Sequence, residues 1–403
     1  MKVKFVFSFL VLIIVLLALA GCQKRSVIVT DQPITQAEKD YTRPLPPGQL
    51  ALRKITDPAQ IPDYTKACSD LNGLKEAIAR SINYMSKPSS QKFYPYGEIT
   101  HERAVKTLQE LYKLVSMNPS PEEMNRILKE KFDTYISVGC DDQGTVLFTG
   151  YYTPIFNGSF TRTDLFKYPL YKQPADLIKD SEGNVLGQKI PGQEGKYKQY
   201  PGRKEIQKSN MLAGLELVWL ADPFEAYIVH VQGSAKIRLP DGQIETVAYS
   251  AHNGWDYKSI RPKMLADRRL IENNVNMKKM IDYFKAHPDQ VEMYTNENPR
   301  FVFFRSDKGD PRGSLNESVT PLRTIATDKS IYPRAMFTFS AVDLDKPIGF
   351  ALDQDAGGAI RAAGRCDVYM GIGEGAGESA GKTYREGQLY YLFIKPDNNP
   401  TEK

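Results

Sequence analysis

An aspartate near the C-terminus, Asp355, stands in a setting that favours acid–base chemistry. An apolar alternation that ends at Leu352 predicts a strand immediately before it. Gly357 and Gly358 follow it, and glycines let backbone or ligand approach closely. A carboxyl group at the end of a buried strand loses solvent, which raises its pKa as a general acid at neutral pH requires. Asp355 is therefore the predicted catalytic residue.

Two further aspartates lie on either side of Asp355 in the sequence. Asp367 falls in a predicted strand, Arg365-Cys-Asp-Val-Tyr369. We predict that Asp367 supports Asp355, either by bonding a nearby loop or by raising its pKa as a second negative charge. Asp328 is predicted to hold a turn.

Composition and motif spacing exclude several classes of function. The four histidines and four cysteines lack metal-site spacing, so no metal and no cofactor is expected. Residues 376–383 fit a relaxed phosphate-loop pattern, but the twenty residues that follow are too few for a nucleotide-binding domain. The net charge of +5 over 403 residues is mild. It suits an anionic surface such as the cell wall, or only solubility, and no nucleic-acid partner is expected.

The N-terminus has the features of a bacterial lipoprotein signal. A basic start, Met1–Lys4, precedes an apolar stretch over 5–20 and the box Leu19-Ala-Gly-Cys22. Cleavage before Cys22 and acylation of its sulfur would tether the chain to a membrane, because two or more acyl chains hold far better than one. The alternative is an uncleaved N-terminal anchor. Gln23, where aspartate would signal retention, indicates the outer membrane, facing the periplasm.

Three cysteines remain after the lipidation site. An envelope location permits disulfides. Cys68 and Cys140 could then pair and leave Cys366 as a thiol, and the sequence leaves this pairing open.

The elements that must position the aspartates are helices first and strands afterwards. Apolar residues recur at helical spacing over 71–85, 105–115 and 124–132. Ser120, Pro121 and Glu123 predict a capping box at the start of the third helix. The predicted strands are 145–154, 226–232, 235–239, 301–305 and 389–394, with one further helix over 276–286. Many short strands predict a barrel or a sandwich.

Six motifs occur in order between residues 148 and 360. They are Phe148-Thr-Gly-Tyr-Tyr-Thr-Pro154, Val231-Gln-Gly-Ser-Ala-Lys236, Asn253-Gly254 with Tyr257-Lys-Ser-Ile260, Asn298-Pro-Arg-Phe-Val-Phe-Phe-Arg305, Thr320-Pro-Leu-Arg-Thr-Ile-Ala326 and Gln354-Asp-Ala-Gly-Gly-Ala-Ile360. Together they resemble the membrane-bound lytic murein transglycosylase A family. The C-terminal part is similar to the three-aspartate domain, with Asp328, Asp355 and Asp367 at the matching positions.

The resemblance implies a mainly β fold with N-terminal helices. A double-psi β-barrel domain would carry a smaller inserted β domain, with a groove between the two for a glycan strand. The expected divisions are a signal peptide over 1–21, a tether over 22–62, a helical segment with the first part of the barrel over 63–154, an inserted β domain over 155–250, the rest of the barrel with the three-aspartate region over 251–395, and a tail over 396–403. For the tether, an arm packed on the domain is the alternative.

The resemblance also implies the reaction. Such enzymes cleave the β-1,4 bond between N-acetylmuramic acid and N-acetylglucosamine in peptidoglycan, and the muramyl 6-hydroxyl attacks its own anomeric carbon to form a 1,6-anhydro ring. Ordinary glycoside hydrolysis needs two carboxylates. Here the nucleophile belongs to the substrate, so proximity replaces the second protein group. A single carboxyl, matched by Asp355, would act first as acid and then as base.

Several polar and small residues are expected to line the groove. Those expected to contact sugar are Thr149, Tyr151, Gln232, Gly233, Ser234, Gly357 and Gly358. The other interpretation of 232–234 is a β-bulge with Gly233 at the kink. The expected partners are peptidoglycan strands and a membrane, with other cell-wall enzymes as candidate partners, and the protein is expected to be a monomer.

Two other functions stay open at this point. One is a β-barrel polysaccharide hydrolase, which would use Asp355 as acid and another carboxylate as base and would leave reducing ends. The other is a non-catalytic wall-binding lipoprotein, whose role would survive Asp355→Asn. Chain-end or internal cleavage, and preference for peptide stems, have no signal in the sequence.

Overall fold

The computed structural model describes residues 39–181, 183–270, 277–345 and 347–396. The predicted signal peptide with Cys22, the tether up to residue 38 and the tail from residue 397 lie outside the described residues. None of the helices in the described ranges is long and apolar enough to cross a membrane.

Helices and strands alternate unevenly along the chain. The helices are α1 (Thr65–Cys68), α2 (Leu74–Met85), α3 (His101–Met117), α4 (Pro121–Lys131), α5 (Arg203–Lys208), α6 (Pro223–Gln232), α7 (Arg261–Ala266), α8 (Met277–Ala286), α9 (Val291–Thr295) and α10 (Glu374–Lys382). The strands are β1 (Leu52–Lys54), β2 (Phe132–Ser137), β3 (Val146–Thr153), β4 (Ile155–Ser159), β5 (Tyr168–Tyr171), β6 (Leu177–Lys179), β7 (Val185–Lys189), β8 (Tyr197–Lys198), β9 (Glu216–Leu220), β10 (Ser234–Arg238), β11 (Ile244–His252), β12 (Val302–Asp307), β13 (Thr324–Ala326), β14 (Phe337–Ala341), β15 (Phe350–Asp355), β16 (Arg365–Ile372) and β17 (Tyr384–Ile394).

The three N-terminal helices form where the periodicity predicts them, as α2, α3 and α4. The Ser120 hydroxyl accepts the Glu123 N–H at 3.2 Å and caps α4, with Pro121 at its first position. The Glu123 carboxylate does not complete the predicted capping box, because it accepts two hydrogen bonds from Arg126 instead. The buried faces of the three helices join the core of the barrel, so the helices support the domain that carries Asp355.

The segment before these helices packs on the domain at its described end. β1 pairs antiparallel with β2, with Leu52 opposite Ser137. The Arg43 guanidinium reaches Asp142 at 2.8 Å. Of the two interpretations of the tether, the structure therefore has the packed arm over its last residues.

Six strands close into a barrel in the order β3, β16, β13, β15, β14 and β17, with β17 pairing back to β3. β3 and β16 are parallel, as are β13 and β15, and the other pairs are antiparallel. Ala326 on β13 lies opposite Asp355 on one side and Asp367 on the other. The barrel register therefore brings two of the three aspartates next to each other.

A second sheet is inserted between β3 and β13. Its order is β12, β11, β10, β4, β9 and β5, and a bridge between Lys172 and Phe304 joins its two edges. A separate three-stranded sheet contains β6, β7 and β8. Residue 250, the expected end of the insertion, falls inside β11, and the edge strand β12 extends the insertion to Asp307.

The stretch predicted as a strand over 226–232 is a helix, α6. Asp222 caps it by accepting the N–H groups of Phe224 and Glu225 at 2.7 and 2.9 Å, and Pro223 takes the first position. A short apolar run has the same pattern in a buried strand and in a helix buried on all sides. The cap at Asp222 is the sequence signal that favours the helix.

The three cysteines within the described residues are buried thiols. Cys68 lies on α1, Cys140 in the turn between β2 and β3, and Cys366 on β16. The suggested disulfide between Cys68 and Cys140 is not formed.

Candidate active site

A cavity of about 970 Å³ lies between the barrel and the inserted domain. The barrel contributes the ends of β15 and β16 with Asp355 and Asp367, and β3 with Tyr151. The inserted domain contributes the end of α6 and the start of β10. Both domains thus form walls of one site.

Asp355 ends β15 with its side chain at the cavity wall. One carboxylate oxygen, Oδ2, accepts the Tyr151 hydroxyl at 2.7 Å. The other, Oδ1, accepts the backbone N–H groups of Ser314 and Ala356 at 2.7 and 2.8 Å. Three donors therefore hold the carboxyl group in one orientation.

The pKa of Asp355 is raised above its ordinary value, chiefly because burial penalises the charged form. The hydrogen bonds from Tyr151, Ala356 and Ser314, and the positive charge of Lys329, act in the opposite direction and leave a net rise. Burial, and then the negative charge of Asp355, raise the pKa of Tyr151 well above 10, so the phenol stays protonated and donates. These opposing effects give a carboxyl group that holds a proton longer than an exposed aspartate does.

Asp367 lies on β16, one strand away from Asp355 across β13. Its Oδ1 accepts the Thr149 hydroxyl at 2.9 Å. Burial raises the pKa of Asp367 to about 6, and the negative charge of Asp355 adds to the rise, while Thr149 and Arg365 lower it. Thr149, expected to contact sugar, thus has its hydroxyl directed at this carboxylate.

Asp328, unlike Asp355 and Asp367, is not among the residues that line the cavity. Its Oδ1 accepts the N–H and hydroxyl of Ser330, and its Oδ2 accepts the N–H of Ala362 at 2.9 Å. The side chain is buried, and Ala362 has a φ of 63°, so Asp328 joins the turn after β13 to a strained residue before β16. Asp328 therefore fixes loops near the site.

Gln232, Gly233 and Ser234 line the cavity from the inserted domain. They lie between a helix and a strand, because α6 ends at Gln232 and β10 begins at Ser234. Gly233 has a φ of 79°, the left-handed conformation of a helix C-terminus, so the β-bulge interpretation is wrong. The Gln232 side chain accepts the Tyr152 N–H at 3.2 Å and ties α6 to β3.

Glycines bring the backbone close to functional side chains on both sides of Asp355. Gly357 and Gly358 line the cavity, and a Cβ at Gly358 would lie 3.2 Å from Nε of Arg300. A Cβ at Gly313 would lie 2.8 Å from the Gln354 carbonyl and 3.1 Å from Cγ of Asp355. Sequence reasoning missed Gly313 and its neighbour Ser314, which carry no motif and reach Asp355 only through the fold.

A buried ion pair beneath Asp355 was also missed. Lys329 binds Asp353, and both side chains are almost completely buried. Asp353 also accepts the hydroxyl groups of Thr327 and Tyr391, each at 2.7 Å. Burial lowers the pKa of Lys329, which Asp353 and Asp355 partly offset. A regular strand would place Asp353 and Asp355 on the same face. The β13–β15 register shifts between these two residues, so Asp353 is buried in the interior while Asp355 lines the cavity, and the sequence pattern gave no sign of this shift.

The histidine that lines the cavity has a structural role. His230 accepts the Val302 N–H at 3.0 Å, and burial holds its pKa well below 6.5. Across the residues that the structure describes, no group of three or more His, Cys, Asp or Glu side chains is arranged to hold a metal.

Two family models match the chain in the regions that build this site. One is described as the MltA specific insert domain and matches residues 147–305, and the other is the 3D domain and matches 323–393. The membrane-bound lytic murein transglycosylase A of Vibrio cholerae is 30% identical over 278 residues, which cover 66% of this chain and 69% of that protein. The protein of the same name from Escherichia coli K12 is 28% identical over 277 residues, 66% and 70% of the two chains.

The chain belongs to the membrane-bound lytic murein transglycosylase A family. It is therefore an enzyme, a peptidoglycan lytic transglycosylase. This decides against the polysaccharide hydrolase and the non-catalytic wall-binding protein, the two alternatives that the sequence left open.

Solved structures agree with the fold of this transglycosylase. A membrane-bound lytic murein transglycosylase from Agrobacterium tumefaciens matches with a TM-score of 0.71 and 25% identity, over 85% of this chain and 98% of that one. E. coli MltA with bound chitohexaose matches with a TM-score of 0.63 and 24% identity, over 89% and 97%. The predicted fold class, a double-psi β-barrel domain with N-terminal helices, an inserted β domain and a groove between the domains, is confirmed.

Proposed function

We propose that Asp355 is the single acid–base group with which this transglycosylase cleaves the β-1,4 bond between N-acetylmuramic acid and N-acetylglucosamine. The protonated carboxyl group gives its proton to the glycosidic oxygen as the bond from the muramyl C1 to that oxygen breaks. The muramyl 6-hydroxyl oxygen then bonds to C1, and the Asp355 carboxylate takes the hydroxyl proton. The products are a free 4-hydroxyl on N-acetylglucosamine and a 1,6-anhydromuramyl end, with no water consumed, and the enzyme regains its protonated acid.

One observation carries this proposal: Asp355 faces the shared cavity from a fixed orientation with a raised pKa. A raised pKa matches the carboxyl group to proton transfer near neutral pH, a contribution of roughly 10²–10⁴-fold in rate. The hydrogen bonds to Tyr151 and Ser314 suit the carboxylate that forms after the first proton transfer.

The other two aspartates receive supporting roles in this proposal. Asp367 bonds Thr149 and lies across Ala326 from Asp355, whose negative charge raises the pKa of Asp367. Asp328 maintains the loops through Ser330 and Ala362.

The sugar-binding residues of the proposal come from both walls of the cavity. Tyr151, Gly357 and Gly358 lie on the barrel side, and Gln232, Gly233 and Ser234 lie on the inserted side. The presence of chitohexaose in the E. coli MltA structure supports a glycan strand as the ligand of such a groove. Thr149 acts here through Asp367.

The proposal also includes the cellular location of the protein and the boundaries of its domains. The membrane-bound relatives support a place in the bacterial envelope. We assign the anchor to lipidated Cys22, with the monomeric enzyme on the outer membrane and facing the periplasm. The domain divisions expected from the sequence are kept, except that the inserted domain runs to Asp307, the end of its edge strand.

The test compares wild type with Asp355→Asn on purified peptidoglycan, with products separated and identified by mass spectrometry. We expect the variant to lose about 10²–10⁴-fold in kcat, because asparagine cannot donate and recover a proton. Asp241→Asn, in an exposed turn outside the cavity, is the matched loss of one carboxylate and should keep the wild-type rate. Release of 1,6-anhydromuramyl products by Asp355→Asn at the normal rate would overturn the proposal.

A further inference from the structure

Arginine side chains line the cavity in two pairs that differ in their partners. On one side, Arg305 and Arg312 approach Oδ2 of Asp307 at 3.5 and 3.4 Å, and both also bond Asn316. The carboxylate of Asp307 thus offsets part of their charge within the protein. On the other side, Arg300 and Arg361 line the same cavity next to the loop that follows Asp355.

The second pair lacks a comparable acidic partner. Arg300 donates to the Trp255 carbonyl at 3.1 Å, and none of the ion pairs in the described ranges includes Arg300. Arg361 faces Asp256, whose side chain is 96% exposed and whose Oδ1 is 3.9 Å away. An ion pair of that length and exposure contributes little. Two guanidinium groups therefore face the cavity with almost no neutralising charge.

The fold holds this pair in place despite the repulsion. Gly358 lets the backbone approach Arg300, where a Cβ would lie 3.2 Å from its Nε. The pKa of Arg300 is lowered, first by burial and then by the positive charge of Arg361. Like charges kept together at the wall of a cavity favour a bound anion, and the planar guanidinium suits a carboxylate in particular.

The position of the pair relative to Asp355 indicates which part of the substrate carries that anion. Arg361 lies six residues after Asp355 on the loop that lines the cavity. In muramic acid the lactyl arm leaves C3 of the same ring whose C1 is attacked. A carboxylate on this arm therefore enters the cavity close to the bond that breaks.

We propose that Arg300 and Arg361 bind a carboxylate on the lactyl arm of the muramyl residue, either the carboxyl group of the arm or one on its peptide stem. This inference rests on the proposed function and names the anionic part of its substrate. The pair selects muramyl sugars that carry a negative charge at this arm, and it contributes to substrate binding and not to the chemical step.

Three glycan substrates separate the two sources of the carboxylate. The first has intact peptide stems, the second is stripped of stems by an amidase so that the lactyl carboxyl is free, and the third has its stem carboxyls converted to methylamides. KM and kcat are measured for the full chain and for Arg361→Gln, whose side chain is half exposed and leaves the core intact. Arg238→Gln, an exposed arginine on β10 outside the cavity, is the matched loss of charge.

We expect Arg361→Gln to raise KM about five- to tenfold on one anionic substrate, as for a half-exposed charge-assisted hydrogen bond, with kcat nearly unchanged. If KM rises only on intact strands, the bound carboxylate belongs to the peptide stem. If KM rises only on stripped strands, it is the lactyl carboxyl group. The methylamide substrate and Arg238→Gln should show no change.

An equal effect of Arg361→Gln on all three substrates, or no effect on any of them, would overturn this proposal. The proposed function would still be supported in that case, provided that the wild type releases anhydro products. Absence of anhydro products from wild type would instead defeat the proposed function.

Discussion

At the scale of single residues, the site depends on two carboxyl groups on either side of Ala326. Burial raises the pKa of both Asp355 and Asp367, and hydrogen bonds offset only part of the rise. Asp367 is further raised by the charge of its neighbour. Two nearby carboxylates repel each other in a poorly solvated site, so protons stay bound at a higher pH than on exposed aspartates.

The raised pKa of Asp367 should make the free energy of unfolding depend on pH. The pKa of Asp367 is about 6 in the folded protein, compared with 3.8 for an ordinary aspartate, which represents the unfolded state. The folded state therefore binds the proton more tightly than the unfolded state does. The free energy of unfolding therefore falls as pH increases from about 4 to about 6. Asp367→Asn removes this cost and keeps an acceptor for Thr149, and we expect it to stabilise the fold at pH 7 by about 1–3 kcal/mol.

Thermal unfolding of both proteins between pH 4 and pH 8 measures this effect. The two melting temperatures should be close at pH 4, where the folded aspartate is protonated, and should separate above pH 6. Asp241→Asn supplies the baseline for an exposed carboxylate. A variant less stable than wild type at pH 7 would show that the ionised Asp367 is net stabilising.

At the scale of elements, local chemistry predicted the helices with clear caps and the strands with clear alternation. Ser120 and Pro121 marked α4, and the alternation before Asp355 marked β15 with the carboxyl at its end. The same reasoning failed over α6, because a short segment buried on every side has no polar face to show its period. Asp222 marked that helix, and its cap is a weaker signal than the apolar run it precedes.

The contacts that complete the site could not be predicted from local pattern. Ser314 and Tyr151 bond Asp355 from positions 41 and 204 residues away in the sequence. The Tyr151 contact follows from barrel closure, in which β16 and β17 pair with β3 across more than two hundred residues. Ser314 reaches Asp355 from the loop between β12 and β13. Only the resemblance to a known family supplied this closure in advance, and it named neither Ser314 nor Lys329.

The loop that crosses Asp355 should be sensitive to a single methyl group. In Gly313→Ala the new Cβ would lie 2.8 Å from the backbone carbonyl of Gln354 and 3.1 Å from Asp355 Cγ, so the loop must move. This movement weakens the hydrogen bond from the Ser314 N–H to Asp355. In the wild type that hydrogen bond lowers the pKa of Asp355, so its loss should raise the pKa. We expect kcat to fall roughly tenfold, as for loss of one hydrogen bond to a charged group.

The pH profile distinguishes this mechanism from general damage to the fold. Because the acid must be protonated, activity falls as pH rises through the pKa of Asp355, and this fall should move to higher pH in Gly313→Ala. Gly375→Ala, on α10 with no heavy atom within 4 Å of the new Cβ, should keep the wild-type profile. An unchanged profile with a lower rate would assign the loss to something other than Asp355.

At the scale of the whole molecule, the groove exists because the chain leaves the barrel after β3 and returns before β13. Lys236 on β10 bonds both crossings: its N–H donates to the Pro154 carbonyl at 2.8 Å, and its ammonium group donates to the Gly309 carbonyl at 2.6 Å. Thr246 bonds the same Gly309 carbonyl at 2.9 Å. The inserted domain is thus held to both crossings from one face.

A glycan that fills the groove should therefore protect both walls together. With Asp355→Asn, which prevents turnover, and chitohexaose as the probe, hydrogen exchange should slow in the barrel loops over 313–316 and 356–360 and in the inserted segment over 231–234. At a ligand concentration about 100 times Kd, the expected slowing is about 100-fold for amides that exchange only from the unbound state. The strands β6 and β7, which contribute nothing to the cavity wall, serve as the internal control. Protection confined to one wall would mean that the sugar binds a single domain, and the groove would then have to be reassigned from a shared site to a surface of the barrel or of the insertion.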